Sequence, residues 1–175
     1  MLQIIVIAAG IVAMAMIVKR AARMLPPKRY RQLIWAMFAV YLCGNIYCTL
    51  CSRVPGSGTT LQLWPFMSIY RLFTTPIEVG TEVTGLFAWF MNDASPVVSM
   101  VLNVLLYVPM GYLLPVLQPK FSRKHVIAIG CLCSVATEIA QYILAMGWCE
   151  TDDVIHNTLG AVVGVWMWHR SNTKI

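Results

Sequence analysis

The feature that most constrains this chain is a series of apolar runs, each about as long as the hydrocarbon core of a membrane is thick. A helix needs about 17–25 predominantly apolar residues to cross that core. The runs cover residues 2–18, 33–50, 97–117, 126–146 and 154–168. A soluble domain carries about 25% charged residues, whereas only 11% of this chain is charged. The sequence therefore predicts an all-α integral membrane protein, a bundle of about five transmembrane helices.

The spacing of the runs predicts four regions. They are an N-terminal hairpin of two spans (1–50), an extracytoplasmic interfacial segment (51–96), a core of three spans (97–168) and a cytoplasmic tail (169–175). The last run is short for a span, at roughly 22 Å of helix. We expect its helix to begin at Asp152 or Asp153, because a carboxylate suits a helix N-terminus.

The basic residues predict how the bundle is oriented. Of the thirteen Lys and Arg residues, six lie in 19–32, three in 118–125 and two in 169–175. Loops on the cytoplasmic side collect Lys and Arg, so we expect the bundle to lie in the plasma membrane with the N-terminus outside and the C-terminus in the cytoplasm. Only Arg53 and Arg71 then lie outside. Orientation explains the net charge of +6, and nothing in the sequence favours nucleic-acid binding.

The first run is expected to be a retained helix. A signal peptide has its basic residues before the apolar stretch, whereas here they follow it, from Lys19 onward.

Aromatic residues make the 51–96 segment unlike an ordinary polar loop. They are Trp64, Phe66, Tyr70, Phe73, Phe87, Trp89 and Phe90. Trp and Tyr favour the headgroup level, so the segment is expected to lie on the outer leaflet or to fold back into the bundle. The sequence from Thr75 to Glu78 is typical of a helix start, and Glu78 and Glu82 would share a face of that helix.

The cysteines leave three interpretations open. Cys43, Cys131 and Cys133 lie within spans and are expected to pack as small apolar residues. The other three fall near the outer ends of spans; they are Cys48, Cys51 and Cys149. These three fit plain packing, a disulfide, or a metal site with His156. Plain packing is favoured, and no cofactor or metal is expected.

Polar residues inside the apolar runs indicate a functional site. A carboxylate in hydrocarbon is costly and normally faces the bundle interior or a wet cavity. Glu138 is expected to share a helix face with Ser134, Gln141 and Tyr142. The predicted topology places Glu138 and Asn103 at similar depths, about 12 Å and 9 Å below the outer surface.

The last span brings further polar residues to the same depth. Asp153, Asn157, Gly160 and Gly164 form one stripe on it, with Asp153 at the outer mouth. Three spans would thus line an outward-facing polar pocket. The predicted binding residues are Asn103, Ser134, Glu138, Gln141, Asp152, Asp153 and Asn157. Simpler roles remain open, namely helix capping for the aspartates, interhelical hydrogen bonds for the asparagines and close packing for the glycines.

Several of these motifs together resemble VanZ-like proteins. The run from Asn103 to Pro115 is similar to the Asn-to-Pro-x-Gly span of that family. Ser134-x3-Glu138-x2-Gln141 and the stretch from Asp152 to Gly164 resemble the rest of its signature. Leu63-Trp64-Pro65-Phe66 is similar to a Pro-Phe element that precedes them. The likeness covers about 61–167 and implies an association with resistance to the lipoglycopeptide antibiotic teicoplanin, separate from remodelling of the peptidoglycan stem peptide.

The chain departs from the family pattern at one position. VanZ-like proteins usually have Gly-Arg in the loop before the last span, whereas here Gly147 is followed by Trp148. No Arg or Lys occurs from 125 to 169, so Arg53 or Arg71 would have to supply a cation there.

Three functions fit these residues. The favoured one is a non-enzymatic protein that lowers teicoplanin access at the outer leaflet by holding a membrane lipid, a lipid-linked peptidoglycan precursor or the antibiotic itself. The second is an intramembrane enzyme with Glu138 and Asp153 as its acid/base pair. The third is a small transporter component that uses Glu138 as a proton carrier, although the chain is short and shows no inverted repeat.

The orientation can be tested by cysteine labelling. In an otherwise cysteine-free chain, a membrane-impermeant maleimide is expected to label Cys149 from outside and to leave Lys120→Cys unlabelled until the membrane is permeabilised. The reverse pattern would contradict the outward-facing pocket.

Overall fold

The computed structural model describes residues 2–74 and 96–172, and most of them are helical. The helices are α1 (Leu2–Met24), α2 (Pro27–Ile46), α3 (Met67–Thr74), α4 (Pro96–Leu117), α5 (Arg123–Ile143) and α6 (Thr151–Asn172). A wider, π-helical turn at Tyr47–Cys51 continues α2. Two short strands, β1 (Gly58–Gln62) and β2 (Met146–Glu150), pair in parallel, with Gly58 opposite Met146 and Gln62 opposite Glu150.

The prediction of a helical membrane bundle is confirmed. Four segments are long and apolar enough to cross a membrane: α1, α2 with its π-helical turn, α4 and α5. The fifth long helix, α6, has 22 residues and begins at Thr151, one residue before the predicted start. That α6 also crosses the membrane, and that the N-terminus lies outside, stay predictions.

Local sequence signals explain where the helices begin. Pro26 is in an extended conformation and Pro27 occupies the first turn of α2. Proline fits a first turn because the backbone N–H that it lacks would have no partner there. At the start of α5, the hydroxyl of Ser122 accepts a hydrogen bond from the backbone N–H of His125. These signals separate the apolar runs into distinct helices.

The closest helix packing joins α4 to α6. A Cβ atom added at Gly160 would overlap the Val104 carbonyl oxygen, and one at Gly164 would overlap the Val108 carbonyl oxygen. In the other direction, a Cβ atom at Gly111 would overlap the carbonyl oxygen of Ala161. Small residues let helix backbones approach closely in a membrane. The predicted packing role of Gly160 and Gly164 therefore has a structural basis.

The hydrophobic core continues from this pair towards α1, α2 and α5. One cluster contains Val18, Ile34, Tyr112, Leu113 and Leu117, and α4 supplies the last three of them. A smaller cluster, Leu114, Val126 and Val165, joins α4 to α5 and α6. Helix α4 is thus the central helix of the bundle.

The part of the 51–96 segment that the structure describes folds back onto the bundle. Strand β1 pairs with β2, which lies in the connection between α5 and α6. The sequence analysis did not anticipate this strand pairing. Trp64 and Phe73 are 78% and 81% exposed, as side chains at a membrane surface would be; their interfacial location stays a prediction. The predicted helix start at Thr75, with Glu78 and Glu82, and the aromatics Phe87, Trp89 and Phe90 lie outside the described residues.

Substitution of the interhelical glycines tests this packing. Gly164→Ala is expected to destabilise the bundle by about 1–3 kcal/mol, because the new methyl group must push α4 and α6 apart. Thermal unfolding in detergent measures the change. The control is Gly44→Ala on α2, where an added Cβ atom has nothing within 4 Å, and alanine favours a helix over glycine. Equal melting temperatures for the two variants would contradict the close α4–α6 contact.

Candidate functional site: a polar cluster on the α4, α5 and α6 helices

Three polar side chains of α5 face the bundle interior. Ser134, Glu138 and Gln141 are 0%, 5% and 2% exposed. Their spacing of four and three residues places them on one helix face. Tyr142, which the sequence analysis assigned to the same face, is 46% exposed instead. It follows Gln141 directly, and adjacent residues on a helix do not face the same way.

Helices α4 and α6 contribute side chains that bind this face and each other. The side-chain amide of Asn157 on α6 donates a hydrogen bond to the Ser134 hydroxyl at 2.8 Å. The amide of Asn103 on α4 donates to the Asp153 carboxylate at 2.6 Å. The three helices therefore bring the polar residues at 103, 134, 153 and 157 into two interhelical pairs.

The remaining α5 residues contact backbone groups outside the three helices. The Glu138 carboxylate accepts the backbone N–H of Glu150, in β2, at 2.9 Å. The side-chain amide of Gln141 donates to the backbone carbonyl of Thr49, in the π-helical turn, at 2.9 Å. We name these side chains (Asn103, Ser134, Glu138, Gln141, Asp153 and Asn157) the polar cluster. The end of the bundle where they lie is called the acidic end.

Arg53 supplies a cation to the polar cluster. Its guanidinium donates a hydrogen bond to the Met146 carbonyl oxygen at 3.2 Å and lies 3.7 Å from where a Cβ atom of Gly147 would stand. It interacts electrostatically with the carboxylates of both Glu138 and Asp153. A nearby opposite charge offsets part of the cost of burying a carboxylate. Arg53 is therefore a counter-charge for these two carboxylates.

Asp152 has a different role from its neighbour Asp153. Its two carboxylate oxygens accept the backbone N–H groups of Phe66 and Ser68, both at 2.5 Å. Phe66 adopts a left-handed backbone conformation with φ of 63°, which is strained for a bulky residue. Asp152 thus holds the Pro-Phe element and the start of α3 against α6, which is a structural contact.

Arg71 contacts side chains of both strands. Its guanidinium forms an ion pair with Glu150 at 2.9 Å and lies 4.5 Å from the centre of the Trp148 ring. It also donates to the side chain of Gln62. These contacts join α3 to both strands. Of the two candidate substitutes for the missing arginine, Arg71 is bound to Trp148 and Glu150, whereas Arg53 faces the buried carboxylates.

The cysteines are all unpaired thiols, and Cys48 and Cys51 are exposed. Within residues 2–74 and 96–172, no group of three His, Cys, Asp or Glu side chains is arranged to hold a metal ion. Cys149 lies beside Glu138, and burial, followed by the neighbouring carboxylates, raises the pKa of its thiol. A raised pKa lowers the thiolate fraction and makes a cysteine a poor nucleophile.

Three buried polar atoms have no hydrogen-bond partner among the described residues. They are Oε1 of Gln141, Oδ1 of Asn157 and Nδ1 of His156. Most buried polar atoms in proteins have a partner. The two oxygens belong to the polar cluster and are available to accept a hydrogen bond from a bound group or from water.

The sequence analysis identified all six cluster residues but not the parts that come from the outer segment. Thr49 contributes only a backbone carbonyl, which no sequence pattern reveals. Arg53 did leave a signal, since it and Arg71 are the two basic residues outside the three basic segments. The positions of the basic residues therefore left Arg53 and Arg71 as candidates for a cation at the site. The fold distinguishes them, because Arg53 is the one that interacts with Glu138 and Asp153.

An apolar helical bundle with buried carboxylates near one end defines this chain as a polytopic type of membrane protein. A family model described as VanZ/LLP1 matches residues 33–172. The chain belongs to this family. It is also 34% identical over 74 residues to Protein VanZ of Enterococcus faecium, a match that covers 42% of this chain and 46% of that relative. The match thus spans less than half the length of the relative. No solved structure matches the chain.

The structural role of Asp152 can be separated from a role in binding. Asp152→Ala removes both acceptors of the Phe66 and Ser68 N–H groups, so we expect a loss of about 2–4 kcal/mol in the free energy of unfolding. Asp152→Asn keeps one acceptor oxygen and is expected to lose less. Thermal unfolding in detergent gives the order of stability of the wild type and the two variants. An Asp152→Ala variant as stable as the wild type would show that these contacts do not hold the outer segment.

Proposed function

We propose that this chain lowers susceptibility to teicoplanin by binding the head group of a lipid or lipid-linked cell-wall precursor in its polar cluster, without enzymatic turnover. Membership of the VanZ/LLP1 family and the match to Protein VanZ support the resistance part of this proposal. The observation that carries the binding part is that Glu138 is buried in an apolar bundle and interacts electrostatically with both Asp153 and Arg53.

The cost of burying charge supports a working site. The carboxylates of the buried Glu138 and the half-buried Asp153 are expensive to desolvate among apolar helices, and apolar residues of the same volume often pack with equal or better stability. Glu138 is 5% exposed, and its carboxylate accepts a hydrogen bond from a backbone N–H of β2. Ionisable residues in such positions commonly mark a substrate or ligand pathway.

The donor and acceptor pattern favours a head group that combines an anion with hydrogen-bond donors. A guanidinium such as Arg53 matches the oxygens of a phosphate. Carboxylates and the unpartnered amide oxygens of Gln141 and Asn157 accept hydrogen bonds from hydroxyl or amide groups. A phosphate linked to a sugar or an amide has both features. Lipid-linked cell-wall precursors carry such groups at the outer leaflet, where the acyl chain of a lipoglycopeptide also inserts.

The departure from the family pattern is consistent with this interpretation. Trp148 stands where the family usually has arginine, and the Arg71 guanidinium lies over its ring. Arg53, bonded to the carbonyl before Gly147, is the cation that acts on the carboxylates. We infer that Arg53 provides the anion-binding group of this member.

An intramembrane enzyme is the second candidate. The observation that favours it is that Glu138 and Asp153 interact electrostatically, as an acid/base pair would. The raised pKa of Cys149 argues against a thiol nucleophile at this place. An enzyme would change the lipid or precursor composition of the host, whereas a binding protein would leave the composition unaltered.

Drug susceptibility tests the proposal. Expression in a teicoplanin-sensitive Gram-positive host is expected to raise the inhibitory concentration of teicoplanin and to leave that of vancomycin unchanged. Glu138→Gln and Asp153→Asn are expected to lose the increase, because loss of one charge-assisted contact weakens binding by roughly 10–100-fold. Lys28→Gln is the control, since it removes one charge from an exposed residue in the first turn of α2, away from the polar cluster.

The wild type and the three variants must be present in the membrane at equal levels. Resistance that survives both cluster substitutions would contradict the role of the carboxylates. Resistance accompanied by a change in host lipids or precursors, lost in Glu138→Gln, would favour the enzyme instead.

A further inference from the structure

The end of the bundle opposite the polar cluster contains a large cavity between its helices. We name it the basic end; here α1, α4 and α6 end and α2 and α5 begin. The cavity has a volume of about 910 Å³ and lies between α1, α2, α4 and α6. Ligand sites commonly have volumes of about 300–1,000 Å³. Its wall combines basic, aromatic and apolar groups; the polar and aromatic ones are Lys19, Arg23, Tyr30, Tyr112, Trp168 and Ser171.

We propose that this cavity binds an anionic phospholipid, with the phosphate between Lys19 and Arg23 and an acyl chain against the apolar wall. This inference concerns a surface apart from the polar cluster and does not depend on the proposed function.

Charge supports an anionic occupant. Lys19 and Arg23 are four residues apart and therefore lie on the same face of α1, and both line the cavity. Two smaller cavities beside it add further cations, Arg31 and Lys120 in one and Arg170 in the other. The acidic residues that the structure describes, Glu138, Glu150, Asp152 and Asp153, are all in or beside the polar cluster and β2. No described carboxylate therefore neutralises these cations.

The apolar wall distinguishes a lipid from a free anion. Val18, Ala22 and Val116 line the same cavity as the two cations, and a soluble phosphate would gain nothing from them. Tyr30 and Trp168 also line it, and aromatic residues favour the headgroup level of a membrane. Basic pockets between helices on the cytoplasmic side are known to suit anionic headgroups.

The packing of α1 explains why the space exists. Helix α1 buries only Ile11, Val18 and Ala21 along its 23 residues, so little of it is held by the other helices. Near its end, α1 is separated from α6 by the cavity that Val18 and Trp168 both line. A phospholipid in this position would contact both helices and complete the packing of α1.

Lipid binding to the full-length protein tests the inference. Purified protein in a mild nonionic detergent is titrated with phosphatidylglycerol, and bound lipid is counted by native mass spectrometry. Lys19→Gln/Arg23→Gln is expected to weaken binding roughly 25-fold, because each cation near an anionic headgroup contributes on the order of fivefold. Arg20→Gln/Lys28→Gln removes the same charge from residues that line none of the three cavities, and is expected to bind like the wild type.

A second variant keeps the charge and fills the space. Ala22→Trp places a large side chain in the cavity wall and is expected to lower phosphatidylglycerol binding while both cations remain. It gives an independent test where the double charge variant is unstable.

Three results would overturn the inference. Equal losses in the two charge variants would indicate a diffuse surface attraction. Equal binding of phosphatidylcholine would indicate that only apolar contact matters. Displacement of the lipid by millimolar inorganic phosphate would indicate a site for a free anion.

Discussion

The close approach of α4 and α6 is the contact on which the rest of the structure depends. Gly160 and Gly164 lie directly against the carbonyl groups of Val104 and Val108, so the two backbones meet without intervening side chains. This approach brings Asn103 within hydrogen-bonding distance of Asp153. A methyl group added at either glycine would push the two helices apart. The hydrogen bond between Asn103 and Asp153 would then weaken, and the arrangement of the polar cluster would change.

The charges divide the molecule into two ends with different chemistry. At the acidic end, Arg53 acts electrostatically on the carboxylates of both Glu138 and Asp153. At the basic end, cations line open cavities between the helices, with no described carboxylate beside them. The two proposed roles, recognition of a polar ligand and binding of an anionic headgroup, therefore concern opposite ends of the bundle.

Strand β2 links the outer segment to the site. Its pairing with β1 fixes the register of the segment from Gly58 to Gln62, and its backbone supplies a donor to Glu138 and an acceptor to Arg53. On its other side, Arg71 joins Trp148 and Glu150 to α3. Two arginines, Arg53 and Arg71, thus reach this connection from elsewhere in the chain.

The sequence by itself determined the class of protein, the approximate limits of the helices, the gathering of cations at one end and the residues of the polar cluster. These properties depend on the length of each apolar run, on the positions of the charged residues and on helical spacing, all of which are visible in the linear sequence. Only the tertiary structure decided that Asp152 holds Phe66 and Ser68 while Asp153 faces Asn103, that Tyr142 points outward, and that Arg53 lies at the carboxylates. Those outcomes depend on how each helix is rotated about its axis and on where the outer segment contacts the bundle. Both are determined by packing between residues that are distant in the sequence.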